Sequence, residues 1–128
     1  MREILFRGKD ASGVLNYLWQ YGSLDNSNPK AMFPTIIRRD RYGNKMFVEV
    51  NPETVGQYTG AIDKNNRKMF EGDIVEDIYG EKGTIVYQKD ECAFYVDLGD
   101  TYDTVDGKLY TVIGNVYDNP ELLEGENQ

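Results

Sequence analysis

Two carboxylates flanking one glycine, Glu71-Gly72-Asp73, have the types and spacing for general acid–base chemistry. Two positions apart on a strand, they would project to one side and work as a pair. The same residues are also good turn formers, because Gly72 takes conformations that other residues resist and Asp73 bonds to backbone amides. The chain has no histidine, so the commonest general base and the commonest zinc ligand are both missing, and its single cysteine, Cys92, cannot form an internal disulfide. Ser12, Ser23 and Ser27 sit in turn-like surroundings with no base in view. The turn reading is the stronger one. We expect no catalytic residue and no cofactor, and so no enzyme.

Asp97, Asp100, Asp103 and Asp106 recur every three residues and end on Gly107, which invites a calcium reading. An EF-hand loop needs oxygens at alternating positions closing on a glutamate, and that spacing is missing. The expectation is a solvated acidic hairpin loop with no bound metal. Arg38, Arg39, Arg41 and Lys45 form the dense basic cluster, interleaved with Tyr42 and followed by Phe47. Basic and aromatic residues together grip single-stranded nucleic acid by phosphate contact and base stacking. The rest of the chain opposes that reading, so direct nucleic-acid binding is not expected, and the arginines are read as a hairpin tip meeting carboxylates on this molecule or a copy of it.

That opposition is a matter of charge. The net charge is −8, which disfavours non-specific attraction to nucleic acid or an anionic membrane. The distribution is uneven: residues 1–48 hold eight Lys/Arg against four Asp/Glu, a balance of +4, and residues 49–128 hold six against eighteen, a balance of −12. No apolar run approaches the roughly 18 residues of a membrane span, and Met1 to Arg7 lacks the form of a signal peptide. A soluble protein of a reducing bacterial cytoplasm is expected.

The elements that must position these residues are strands. At 128 residues the chain is read as a single domain, long enough to bury roughly two-thirds of its unfolded surface. Ten Tyr, five Phe and thirteen Gly, with short apolar runs, suit pleated surfaces and tight reversals. Ile4 and Phe6, then Leu15, Tyr17, Trp19 and Tyr21, mark a first strand pair around a Gly8 to Gly13 turn, with residues 14–21 also fitting a short helix. Tyr17, Trp19 and Tyr21 are read as core. Gly22 to Pro34 is a polar connection expected to be flexible. Thr35 to Arg39, a turn at 40–44, and Lys45 to Val50 give a hairpin. Asn51-Pro52-Glu53 opens one helical turn with Asn51 as its N-cap.

A strand and turn over 57–75, a hairpin over 74–88, a strand placing Cys92 in the core by alternation with Phe94 and Val96, and a closing strand at 109–116 follow. A terminal helical turn at Asn119 to Leu123 precedes a frayed acidic tail at 124–128. The fold class expected is mainly β with short helical turns, its antiparallel strands forming a small barrel-like or SH3-like core.

Four stretches together resemble the YopX family of phage and prophage proteins: Arg2 to Gly8; Glu53 to Gly60, including Gln57, Tyr58, Thr59 and Gly60, with Asp63-Lys64-Asn65; Phe70 to Val75, including Glu71, Gly72 and Asp73; and Ile113 to Leu122, including Gly114, Asn115 and Pro120. Their order and spacing run through nearly the whole chain. The resemblance implies a largely β fold encoded by a phage or prophage, and it carries over no catalytic residue. Asn66 stands where a glycine is common, which implies a less tight turn.

The function expected is a non-enzymatic protein acting by protein–protein contact. It self-associates through its basic first third and acidic remainder, with Arg38, Arg39, Arg41, Asp97, Asp100 and Asp103 at the contact, giving a homo-oligomer. The alternative is an acidic accessory protein that regulates or mimics nucleic acid, binding a phage or host DNA-binding protein through Asp97 to Asp106 and Glu121 to Glu126.

Overall fold

The computed structural model describes residues 2–124. Every strand pair in it is antiparallel, and the fold is mainly β, as the run of short alternating segments requires. The chain divides into two units, Met1–Gln57 and Tyr58–Gln128.

In the first unit β1 (Phe6–Lys9), β2 (Trp19–Asp25), β3 (Thr35–Arg39) and β4 (Lys45–Glu49) lie in sequence order, each paired with the next. An isolated bridge between Asp10 and Val50 brings the end of β4 back to the end of β1, so the four strands curl toward a barrel. Their inner face holds Ile36, Val48 and Val50, packed by Phe6, Leu15, Leu24 and Val55. Pro52–Thr54 forms a single 3₁₀ turn, and the Asn51 side chain accepts the Glu53 N–H as its cap. Thr54 locks this turn to β1: its hydroxyl accepts the Lys9 N–H at 2.9 Å and donates to the Asn51 carbonyl at 2.7 Å.

In the second unit the part of β5 (Gly56–Ile62) beyond Gln57 pairs with β6 (Lys68–Phe70) across a register shift that contains Gly60. β7 (Asp73–Asp77), β8 (Lys82–Gln88), β9 (Ala93–Asp97), β10 (Tyr102–Thr104) and β11 (Tyr110–Asn115) make a sheet ordered β10-β9-β8-β7-β11. Met69, Val75, Ile85, Val96, Tyr110 and Val112 are its core. The Tyr110 hydroxyl donates to Asp103 Oδ2 at 2.7 Å, joining the two outermost strands of the sheet. The helix α1 (Glu121–Glu124) follows Pro120.

Several expectations are corrected. The first turn runs from Asp10 to Leu18 rather than Gly8 to Gly13, and Gly8 lies inside β1 with Val50 against it. Residues 14–18 form neither strand nor helix, because Asn16 and Tyr17 take positive φ values of 58° and 59°. Tyr17 is 61% exposed and Tyr21 44%, so neither is core. β2 continues to Asp25, which shortens the expected connection to residues 26–34. Cys92 is exposed at φ 53°, in the turn before β9 rather than on the strand, so the alternation begins one residue later than its apolar pattern suggested. Glu124 belongs to α1; the rest of the expected tail, 125–128, lies outside the described residues, as does Glu126 of the acidic face.

Candidate functional site

The buried carboxylates hold turns. Asp73, in the pair that suggested acid–base chemistry, is buried, and its Oδ2 accepts the Phe70 N–H at 2.7 Å. Gly72 between them has φ +92°, and a side chain there would also meet the Tyr117 ring. Asp63 is a second buried organiser. Its Oδ1 accepts from Asn65 and Arg67 across the turn, and its Oδ2 reaches the Val112 N–H in β11 at 2.9 Å. Burial raises the Asp63 carboxyl, but those three N–H groups and the Arg67 charge outweigh it and leave the group below the usual carboxylate range. Asn66 supplies the left-handed residue of that turn at φ 64°, a conformation asparagine tolerates where glycine is usual.

Asp10 does the same for the 10–18 loop. Its carboxylate accepts from the Ser12 hydroxyl and from the N–H groups of Ser12, Leu15 and Tyr17. Burial pushes its carboxyl up, and these four donors more than offset it. The closing motif is likewise a backbone device. Asn115 Oδ1 accepts from Tyr117 and Asp118, while Asn119 Oδ1 receives the Asn115 N–H and would sit 2.6 Å from a Cβ at Gly114. Thr59 donates to the Met69 carbonyl, Tyr58 packs on Phe70 with ring centroids 5.7 Å apart, Gln57 pairs with Phe6, and Pro120 is exposed before α1. Glu71 is half-buried beside this framework.

The recurring aspartates are dispersed. Asp97 Oδ1 accepts from Gly99, Asp103 carries the Tyr110 hydroxyl and the Thr104 N–H, and Asp106 Oδ1 accepts from Lys108. Asp100 is exposed. Among the described residues no three His, Cys, Asp or Glu side chains converge as a metal site requires. Among those residues, too, no helix is long and apolar enough to cross a membrane.

The basic cluster is divided by the pleat. Ile36 and Val48, opposite one another, face the core, and Arg38 opposite Met46 has the same parity. Arg38 is half-buried, and its Nε is a buried atom with no hydrogen-bond partner among the described residues. The other parity faces outward: Ile37 opposite Phe47, and Arg39 opposite Lys45. Ser23 stands opposite Ile37, so Tyr21 and Trp19 belong to the same outer face of β2. On β1 Arg7 is opposite Tyr21 and Lys9 opposite Trp19, with the Arg7 guanidinium 4.6 Å from the Trp19 ring centroid. At the hairpin tip Arg41 lies over Tyr42, and the Asp40 carboxylate accepts from Tyr42 and Asn44.

The outcome is one outer sheet face in which aromatic and basic side chains adjoin. Phe47 is 67% exposed on it, and Arg39 and Lys45 are exposed as well. Asp25, Thr35 and Glu49, opposite one another, form its polar end. Contiguity in sequence had grouped Arg38 with Arg39 and left Trp19 and Tyr21 in the core. The signal that joins Trp19, Tyr21, Ile37, Arg39, Lys45 and Phe47 is period-two alternation, read across strands whose register sequence alone did not provide.

The sequence pattern of the family described as YopX protein matches residues 6–124. The chain belongs to the YopX family. The structure is similar to the crystal structure of protein EF1440 from Enterococcus faecalis, with a TM-score of 0.56 at 24% identity over 96% of this chain and 99% of that one. That likeness is one of fold. No curated protein matches the chain. Within this YopX-family chain the motif residues Asp63, Gly72, Asp73 and Asn115 serve turns, and Gly114 lies in β11 against Asn119. Two exposed features carry segregated charge: the outer face of the first unit, with Arg39 and Lys45, and the second unit, which holds sixteen Asp/Glu.

Proposed function

We propose that this is a phage- or prophage-encoded, non-enzymatic protein that works by macromolecular contact and self-associates. The observation that carries the reading is the segregation of charge between the two units. Met1–Gln57 holds eight Lys/Arg against six Asp/Glu, and Tyr58–Gln128 holds six against sixteen. On the outer face of the first unit Arg39 and Lys45 are paired at one end and Asp25 and Glu49 are level with one another at the other. The contact proposed joins that face of one copy, with Arg41 at its tip, to the Asp97 to Asp106 segment of another.

Complementary charge of this kind speeds encounter and sets register more than it supplies affinity, and salt screens it. The test is solution mass by light scattering at low and high salt. A multimer that dissociates as salt rises is the expected result. A monomer under both conditions would overturn self-association and direct attention to a basic protein partner, the accessory-protein alternative.

A further inference from the structure

We infer that the outer face of β2, β3 and β4 is also a binding platform for single-stranded nucleic acid. The inference rests on the reading above in one respect, that this face is the protein's working surface. Its chemistry is more specific than a basic patch.

On the outer face Ile37 of β3 and Phe47 of β4 are level with Ser23 of β2, and Arg39 and Lys45 form the next outward pair. Tyr21 and Trp19 lie two and four residues along β2 from Ser23 on the side of that pair, Trp19 half-buried with the Arg7 guanidinium over its ring, so that aromatic and basic side chains alternate across the three strands. Adjacent strands lie about 4.8 Å apart and residues rise about 3.3 Å along a strand, so Tyr21 on β2 and Phe47 on β4, two strands apart and two residues out of level, are roughly 12 Å apart. Exposed rings offer faces on which unpaired bases stack, and cations beside them meet the phosphates. That combination suits a single strand; a duplex keeps its base faces hidden. A carboxylate surface on another protein satisfies the cations and gives Phe47, Tyr21 and Ile37 nothing to pack on. The net charge of −8 argued against nucleic acid only as an average over two units; on this face Arg39 and Lys45 hold the end away from Asp25 and Glu49, and screening over about 8–10 Å at ordinary ionic strength limits the reach of distant charges.

The face carries its own reporter. Trp19 is the only tryptophan in the chain, so emission excited at the red edge, where the ten tyrosines do not absorb, reads that face. We would titrate the full chain with an oligothymidylate and, separately, with the matching duplex and with inorganic polyphosphate. The expected result is a saturable change in Trp19 emission with the single strand, weakened by salt. Phe47→Ala, a change at an exposed side chain, should reduce the affinity about tenfold, the scale of one lost stacking contact. Arg39→Ala with Lys45→Ala should reduce both affinity and salt dependence. Tyr79→Ala, at another highly exposed aromatic, should leave both unchanged.

Equal binding of polyphosphate, or a Phe47→Ala variant that binds as well as the parent, would overturn the platform in favour of plain anion attraction. Light scattering on the same samples separates the two readings. A salt-sensitive multimer whose emission ignores the oligonucleotide overturns this inference and leaves self-association standing, whereas an emission change in a protein that is monomeric throughout does the reverse.

Discussion

Arg39 and Lys45 stand directly opposite one another on β3 and β4, both exposed on the outer face. Like charges in that relationship oppose strand pairing, and the Arg39 guanidinium is turned to the Gly43 carbonyl at 2.7 Å. The proposed contact with an anionic surface would offset that repulsion.

Lys45→Glu should therefore have effects of opposite sign on folding and on association. Converting the pair to opposite charges should stabilise the monomer by about 0.2–1 kcal/mol, seen as a higher urea midpoint in dilute, low-salt solution. The same variant should lose the salt-sensitive multimer. A variant that is both less stable and still multimeric would break the link between the two.

Asp63→Ala removes the acceptor of three backbone N–H groups, one of them in β11, and should cost on the order of 3 kcal/mol. Its pH dependence has a definite sign. Asp63 and Asp10 both titrate below the usual carboxylate value in the folded chain. The stability they contribute is thus fully present above the unfolded value of about 3.9 and is lost as pH falls through the folded values. Denaturant midpoints should drop steeply below about pH 4, and the drop should be shallower in Asp63→Asn, measured relative to that variant's own neutral-pH value.

The turn architecture was largely legible in the sequence, and the functional face was not. Asn51-Pro52-Glu53, the Asp40 to Asn44 turn and the Glu71-Gly72-Asp73 bend are local arrangements, set by side chains bonding to backbone within a few residues, and the structure shows each of them. Asp63 reaching Val112 is a long-range bond that no local pattern announces. Tyr21 and Phe47 share a face only because two intervening ladders fix their register. Cys92 misled because the alternation of Phe94 and Val96 was extrapolated one step past the start of β9, into a residue at positive φ.

Cys92 gives an inexpensive check on that correction. Exposed in the turn before β9, its thiol should react with a disulfide reagent in the native protein at a rate close to that in denaturant at the same pH. Protection by orders of magnitude would return it to the core.

Tyr110 should govern the alkaline limit of stability. Burial raises its phenol above the ordinary value of about 10, and the hydrogen bond to Asp103 and the nearby carboxylates push it further. Its contribution is complete below about pH 10 and is lost as pH rises through the folded value. Tyr110→Phe should cost about 1–2 kcal/mol at neutral pH and flatten the alkaline decline, followed by circular dichroism across the pH range. An unchanged decline would mean that another group sets the limit.

The most direct test of the account is to map amide chemical shifts residue by residue as the low-salt protein is diluted. The outer face of the first unit and the acidic segment of the second should report together: Tyr21, Ile37, Arg39, Lys45 and Phe47 shifting in step with Asp97 to Asp106, and the same set shifting when salt is added. Shifts that leave these residues untouched, or a spectrum indifferent to both dilution and salt, would contradict the claim that this face is where the protein works.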